Sequence, residues 1–123
     1  MLLSLNFSSD IPIYQQIRNQ IIIAISNDTL VAGDSLPTIR SLADQLGINM
    51  MTVNKAYQLL KQEGYITADR RNGAKVSARN TSTNEIPTAL KDDLQLLISQ
   101  FNIQGISKEQ FLALCNELFP KED

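Results

Sequence analysis

The middle of the chain carries side chains whose types and spacing suit contact with duplex DNA. Asparagine can bond both polar atoms of an adenine edge, arginine can do the same with guanine, and methionine can touch a thymine methyl. Lysine and threonine side chains can hold phosphates. The candidate residues in this group are Thr38, Arg40, Asn49, Met50, Met51, Thr52, Asn54 and Lys55.

A second group of candidates lies around residue 70 and is mainly cationic. Its members are Arg70, Arg71, Asn72, Gly73 and Lys75. Guanidinium and ammonium groups on a loop suit contact with phosphates or with the minor groove. The two groups together predict binding to double-stranded DNA.

Several of these residues also have a purely structural interpretation. Asn49 is a strong helix N-cap, so capping and base contact are equally compatible with its position. Met50 and Met51 could simply cover apolar surface. Arg40 is the residue for which a DNA contact is favoured most, and the whole constellation is stronger evidence than any single member.

The charge of the chain is unevenly distributed, although the formal net charge is −2. Residues 37–80 hold seven basic and three acidic side chains, whereas residues 81–123 hold three basic and seven acidic ones. Attraction to phosphate depends on local charge within a Debye length of about 8 Å. The basic middle therefore supports the DNA prediction despite the acidic total.

Composition disfavours catalysis and metal chemistry. Histidine is absent and Cys115 is the single cysteine, which excludes a Ser-His-Asp triad, a Cys-His dyad and an internal disulfide. The adjacent carboxylates Asp92 and Asp93 would diverge on a helix. We expect no enzyme activity, no cofactor and no metal site.

No feature of the sequence suggests a membrane or an export signal. The longest apolar run, residues 21–25, is far shorter than the roughly 20 residues that span a bilayer. No basic region precedes an apolar stretch at the N-terminus, so no signal peptide is expected. These observations predict a cytoplasmic protein.

Apolar periodicity predicts three helices that would position the first group of candidates. The first helix is expected at about 11–26, with Asp10 as its N-cap. A second begins after Thr38 and ends before Gly47, and a third spans about 50–63 after Asn49. Two helices joined by a short turn containing glycine form a helix-turn-helix, whose second helix enters the major groove.

The cationic group falls on a predicted β-hairpin. Residues 65–68 and 74–77 are strand-like, and the Asn-Gly pair between them is a strong hairpin signal. Short extended pieces are also expected at 30–31 and 35–36. The predicted fold is mostly α with a small β-hairpin: a winged helix-turn-helix domain at 1–79, with the wing at 66–76.

The remaining residues predict a linker at 80–87 and a two-helix dimerisation segment at 88–123. Ser107 and Gln110 form a capping box at the start of the second of these helices. A hairpin this short cannot bury both apolar faces alone, and a second copy is the economical partner. The predicted dimerisation residues are Leu90, Leu94, Leu97, Ile98, Phe101, Phe111, Leu114 and Leu118.

Three segments resemble regulators of the GntR family. GDSLPTIRSLA at 33–43 is similar to the family segment G-x-x-L-P-S-x-R-x-L-A, and LGINMMTVNKAY at 46–57 continues the match, as do residues 60–66. Residues 49–57 and the opening PIYQQI at 12–17 are similar to the YtrA-like subfamily in particular. The wing departs from many relatives, because Arg71 replaces a glycine, Ala74 a threonine and Lys75 an aromatic residue.

The resemblance implies a homodimer that binds an operator of two half-sites, usually as a repressor. It places the family's DNA contacts on Arg40, Asn49, Thr52, Lys55 and the wing. It also implies a short tail that dimerises in place of a large effector domain.

Two further expectations remain open at this stage. Any small-molecule effector would lie between the DNA-binding part and the tails, because one tail offers little room for a pocket of about 300 Å³. A winged helix that binds a protein instead of DNA is the alternative function, although the basic middle argues against it.

Overall fold

The computed structural model describes residues 3–79 and 85–121. Its elements are α1 (Ile13–Ser26), α2 (Ile39–Leu46), α3 (Met50–Gln62), β1 (Ile66–Asp69), β2 (Gly73–Val76), α4 (Thr88–Ile103) and α5 (Lys108–Leu118). The chain divides into two compact units, Met1–Arg79 and Asn80–Asp123. The helices and the single β-hairpin of the described residues confirm the predicted fold class, mostly α with a small β-hairpin. Residues 80–84 of the predicted linker lie outside the described residues.

The turn between α2 and α3 is built by the residues that the sequence indicated. Thr38 Oγ1 accepts a hydrogen bond of 3.0 Å from the Ser41 amide, which caps α2. Gly47 ends that helix with φ of 68°, a left-handed conformation that glycine adopts without steric cost. Asn49 Oδ1 then accepts a 2.7 Å bond from the Met51 amide and caps α3.

The first helix begins two residues later than predicted. Pro12 is its N-cap, and the Pro12 carbonyl accepts hydrogen bonds from the amides of Gln15 and Gln16. The prediction that Asp10 caps α1 was therefore wrong. The fixed φ of proline suits a helix start, and the Gln15 amide, which a side-chain cap could otherwise satisfy, bonds the Pro12 carbonyl.

One apolar core holds the first unit together. Its largest fully buried side chains are Ile17, Ile21, Leu42, Leu60, Ile66 and Val53. Tyr57 is buried among them, and its hydroxyl donates a 2.8 Å hydrogen bond to the Pro37 carbonyl. Burial raises the pKa of Tyr57 to about 12, so this hydroxyl stays a donor throughout the physiological range.

Two polar links fix α1 against its neighbours. Arg18 forms a bidentate pair with Glu63 through bonds of 2.7 and 2.6 Å, and this arginine lowers the pKa of the glutamate. On the other side, Gln16 and Gln20 bond the backbone of Asn6 and Ser4 through their side-chain amides. The amides therefore hold the N-terminal segment along α1.

A third extended segment, around Ser35 and Leu36, pairs with one edge of the β-hairpin. β1 and β2 pair antiparallel, with Ile66 opposite Val76 and Asp69 opposite Gly73. Ser35 bridges Lys75, and the Leu36 amide donates a 2.8 Å bond to the Ala74 carbonyl. The residues that lead into α2 are thus attached to the outer edge of the wing.

The second unit is a helical hairpin with little interior of its own. Ser107 and Gln110 form the predicted capping box at the start of α5. Phe101 and Phe111 pack edge to face with ring centroids 5.2 Å apart. Neither α4 nor α5 contains a buried residue. Within the described ranges, no helix has the length and apolarity to cross a membrane.

Two isoleucines on α1 allow a matched test of this core. Ile21 is fully buried, whereas Ile23 is 62% exposed. We expect Ile21→Ala to lower the free energy of unfolding by about 2–5 kcal/mol, because it leaves a cavity in packed surroundings. Ile23→Ala should change it by less than about 0.5 kcal/mol. Urea denaturation followed by circular dichroism measures both, and equal losses would contradict the assigned buried face.

Candidate nucleic-acid interface

The outer side of α3 carries most of the first group of candidates. Asn54 and Lys55 are exposed, and so are Met50 and Met51, while Thr52 is half-buried. The buried residues of the same helix are Val53, Ala56, Tyr57 and Leu60. The burial of one stripe therefore presents the polar candidates together on the opposite side.

The structure shows that Asn49 caps α3, and its contact with a base stays a prediction. Its Oδ1 accepts from the Met51 amide at 2.7 Å, which satisfies an amide at the helix start. A bidentate bond to adenine needs both the oxygen and the nitrogen of an asparagine. The Asn49 oxygen uses one of its two lone pairs in the cap, whereas both polar groups of the exposed Asn54 side chain are on the helix surface.

Thr38 and Arg40 flank the beginning of α2. The Thr38 oxygen accepts from the Ser41 amide, so this residue has a structural role at the cap. Arg40 is exposed in the first turn. Its guanidinium is accessible to a bound polyanion and is more weakly hydrated than an ammonium group.

Lys55 is held by an aromatic ring from a different helix. Its Nζ lies 4.1 Å from the centroid of the Tyr14 ring. Tyr14 belongs to the first turn of α1 and is itself half-buried against the core. The distance is well within the range of about 6 Å for a cation–π interaction.

The wing tip is closed by the carboxylate of Asp69. Its Oδ1 accepts from the amides of Arg71 and Asn72 at 2.9 and 2.6 Å, and its Oδ2 accepts from the Asn72 side chain at 3.3 Å. The Asn72 bonds lower the pKa of Asp69 most, and the Arg71 amide and the Lys61 ammonium lower it further. The turn is therefore ordered by local bonds even though the sequence departs from its relatives here.

The cations of the wing occupy two environments. Arg70 and Arg71 are exposed in the turn, together with Asn72 and Gly73. Lys75 lies farther along β2, opposite Thr67, and is half-buried. The sequence placed Lys75 at or beside the wing tip. In the structure it lies beside the tip, on β2, and not in the turn.

The wing tip and α3 border a common groove of about 430 Å³. Asn54, Gln58 and Lys61 line it from the helix, and Asp69, Asn72 and Gly73 line it from the wing. Pro37 and Thr38 lie at its edge beside the start of α2. Thr38 and Asn54 of the first candidate group and Asn72 and Gly73 of the second therefore line one groove of the first unit.

Three residues that sequence reasoning passed over contribute to this surface. Asp69 orders the wing tip, Lys61 lines the groove, and Tyr14 contacts Lys55. The Asp-x-x-Asn spacing of 69–72 was an available signal, because Asp side chains commonly bond backbone amides two and three residues ahead. No local pattern could have paired Tyr14 with Lys55.

The predicted dimerisation residues lie on an incompletely covered apolar surface of the second unit. Leu90, Leu94 and Leu97 are 55%, 47% and 47% exposed, and Leu118 is 71% exposed. Ile98 is 38% exposed. The half-buried members are Phe101, Phe111 and Leu114. These values leave the dimerisation set a prediction.

The second unit also contains an open groove of about 430 Å³ between α4 and α5. Ile98, Phe101, Phe111 and Leu112 supply its apolar lining. The expectation that one tail has little room for a cavity of 300 Å³ was wrong. Neither helix contains a buried residue, so few side chains are available to fill the space beside the Phe101–Phe111 contact.

Within residues 3–79 and 85–121, no three Cys, Asp or Glu side chains cluster closely enough to hold a metal ion. Cys115 is a half-buried free thiol on α5. The amides, hydroxyls and cations of the candidate residues can bind an anion or a base edge.

Comparison with known proteins gives a consistent match. Residues 13–76 match the family model described as bacterial regulatory proteins, gntR family. The chain is 33% identical over 112 residues to the HTH-type transcriptional repressor YtrA of Bacillus subtilis, which covers 89% of this chain and 86% of that protein.

Solved structures extend the similarity across both units. A transcriptional antiterminator from Listeria monocytogenes gives a TM-score of 0.82 at 28% identity, covering 95% of this chain and 89% of that one. YtrA from Sulfolobus acidocaldarius, a GntR-family transcription factor, gives 0.67 at 36% identity, covering 81% and 96%. The winged helix-turn-helix arrangement is shared by these structures.

Replacing Asp69 tests how the wing tip is ordered. Asp69→Ala removes the acceptor, so hydrogen exchange of the Asn72 amide should quicken by roughly two- to tenfold. Asp69→Asn keeps an acceptor oxygen and should remain close to the parent protein. NMR-detected exchange distinguishes the two variants, and an unchanged rate in Asp69→Ala would contradict the assigned bonds.

The same carboxylate predicts a pH dependence of known sign. Because the folded pKa of Asp69 lies below its ordinary value of 3.8, the carboxylate stabilises the turn above that pH. The contribution is lost as pH falls through the lowered folded pKa. Amide shifts of Arg71 and Asn72 should therefore stay constant from neutral pH to about pH 4 and move only below it.

Proposed function

Because the chain belongs to the gntR family of bacterial regulatory proteins, we propose that it represses transcription as a homodimer on a two-half-site operator. The family consists of DNA-binding helix-turn-helix transcriptional regulators and not of enzymes. The observation that supports the finer proposal is the common groove, which is lined by residues of α3, including Asn54, and by residues of the wing tip, including Asn72.

We assign major-groove recognition to α3 and backbone or minor-groove contact to the wing. A major groove about 12 Å wide admits an α-helix, and the N-terminal part of a recognition helix contacts base edges. Asn54 is the best placed base reader because its amide is not used in a cap. Arg40 and Lys55 contact phosphates or a guanine edge, and Arg70 and Arg71 contact the neighbouring backbone or minor groove. Met50, Met51 and Thr52 complete the reading surface.

We assign DNA binding to residues 1–79 and dimerisation to the α4–α5 segment within 88–123. The exposure of Leu90, Leu94 and Leu97 along one side of α4 supports this assignment. Covering such a stripe with its symmetry mate removes apolar surface from water, and a two-fold interface uses the same patch on both copies. A dimer also presents two recognition helices to two half-sites.

Repression is the direction of control that we favour. The Bacillus subtilis relative YtrA is named a transcriptional repressor. A dimer bound across promoter DNA would exclude polymerase by occupancy alone. We place the protein in the cytoplasm, where bacterial DNA lies, and retain a small-molecule effector as a prediction.

Selection of bound sequences from random duplex DNA tests the recognition surface. We expect a palindromic product whose half-sites lie about one helical turn apart. On that sequence, Arg40→Ala should lower the affinity by about 5- to 150-fold, the range for a good bidentate contact. Lys91→Ala, an exposed cation on α4, is the matched control and should leave the affinity within about twofold. Binding that is weak, unselective and insensitive to salt would favour the alternative of a protein-binding winged helix.

A pair of leucines on α4 tests the dimer. Leu94 belongs to the predicted stripe, whereas Leu96 is 64% exposed and points away from it by the helical period. Leu94→Asp should shift the sedimentation coefficient from dimer to monomer at micromolar concentration, because it introduces a buried charge at the seam. Leu96→Asp should leave the dimer intact. The opposite pattern would place the interface on another side of the hairpin.

A further inference from the structure

We propose that Tyr14 is a positioning residue that holds the Lys55 ammonium ready for a DNA phosphate. The inference rests on the proposed function and adds a residue from α1 to its mechanism. It starts from the 4.1 Å separation between Lys55 Nζ and the Tyr14 ring centroid. The two residues are 41 positions apart in sequence, so the fold brings them together.

The ring is better fixed than the lysine that it contacts. Tyr14 is half-buried and packs against the apolar core, at the start of a helix that also carries buried Ile17 and Ile21. Lys55 is exposed on the outer side of α3. A lysine side chain loses rotamer entropy when a single geometry is required. A fixed ring beneath the ammonium restricts that freedom before DNA arrives.

An aromatic ring orients a cation without neutralising it. A carboxylate at the same place would cancel the charge and compete with phosphate. Within the part of the chain that the structure describes, the salt bridges join Arg18 to Glu63 and Arg79 to Asp28, and neither involves Lys55. Lys55 therefore keeps its full charge for a bound phosphate while its position is restricted, which lowers the ordering cost of binding.

The contact also depends on how α1 lies against α3. Arg18, one turn after Tyr14, forms its bidentate pair with Glu63 at the C-terminal end of α3. The two links join the same pair of helices at separate points. Together these two links fix the position of the Tyr14 ring relative to Lys55. In the proposed mechanism α1 therefore acts on the recognition surface through Lys55.

The test uses the full chain and the sequence selected from random DNA. Tyr14→Phe keeps the ring and should bind within about twofold of the parent. Tyr14→Leu removes the ring and should weaken binding by about two- to fivefold, which is the worth of an exposed cation–π contact. Tyr65→Leu is the matched control, because Tyr65 is also half-buried against the core. It should leave the affinity unchanged.

A series of fluorinated phenylalanines at position 14 keeps the size of the ring and guards against a folding defect in Tyr14→Leu. Fluorine withdraws charge from the ring face, so affinity should fall stepwise with the number of fluorines. In a Lys55→Met background the same series should have no effect. A flat series in the parent background, or an equal fall in both backgrounds, would overturn the positioning role.

Two further readouts separate this inference from the proposed function. Lys55→Met should reduce the slope of log K against log salt by about 1, as expected for one lost phosphate contact. If Lys55→Met leaves both slope and affinity unchanged while Arg40→Ala still weakens binding, the inference fails and DNA recognition stands. If no sequence is selected at all, the proposed function fails.

In the free protein, the Lys55 ε-methylene protons should show an upfield ring-current shift that Tyr14→Leu abolishes. The absence of this shift from the parent protein would overturn the contact.

Discussion

The orientation of α3 depends on the burial of one stripe of four side chains. Val53, Ala56, Tyr57 and Leu60 are held between the core residues of α1 and α2, and Tyr57 is also tied to the Pro37 carbonyl. Rotating the helix about its axis would expose this stripe and leave the Tyr57 hydroxyl without its hydrogen-bond acceptor, at a cost of several kcal/mol. The outward direction of Asn54 and Lys55 is therefore a consequence of packing on the opposite side, and the proposed reading surface needs no support from DNA to exist.

The local parts of this architecture were predictable because they arise from interactions between near neighbours. The caps at Thr38, Asn49 and Ser107 and the left-handed Gly47 all depend on residues within a few positions of each other. The hairpin followed from the Asn-Gly pair in the same way. The start of α1 was misplaced because an acidic residue and a proline both suit a helix start, and the choice between them depends on the path of the preceding chain.

The rest of the candidate site depends on contacts between distant segments. Tyr14 and Lys55 meet only because α1 packs on α3, and Asp34 and Ser35 reach the wing edge only because the core folds the connector back. Asn49 illustrates a different limit of prediction from sequence. Its residue type suits two roles, and the 2.7 Å bond to the Met51 amide establishes only the capping role. The groove in the second unit was unexpected because sequence gives the number of apolar side chains but not how closely they pack between two helices.

The attachment of the connector to the wing has a mechanical consequence. The Leu36 amide bonds the Ala74 carbonyl and the Val76 amide bonds the Asp34 carbonyl, and only Pro37 and Thr38 then separate this small sheet from α2. A hinge between wing and helices would have to break these bonds. The first unit should therefore respond to a curved duplex by moving as one body, without bending between the wing and the helices.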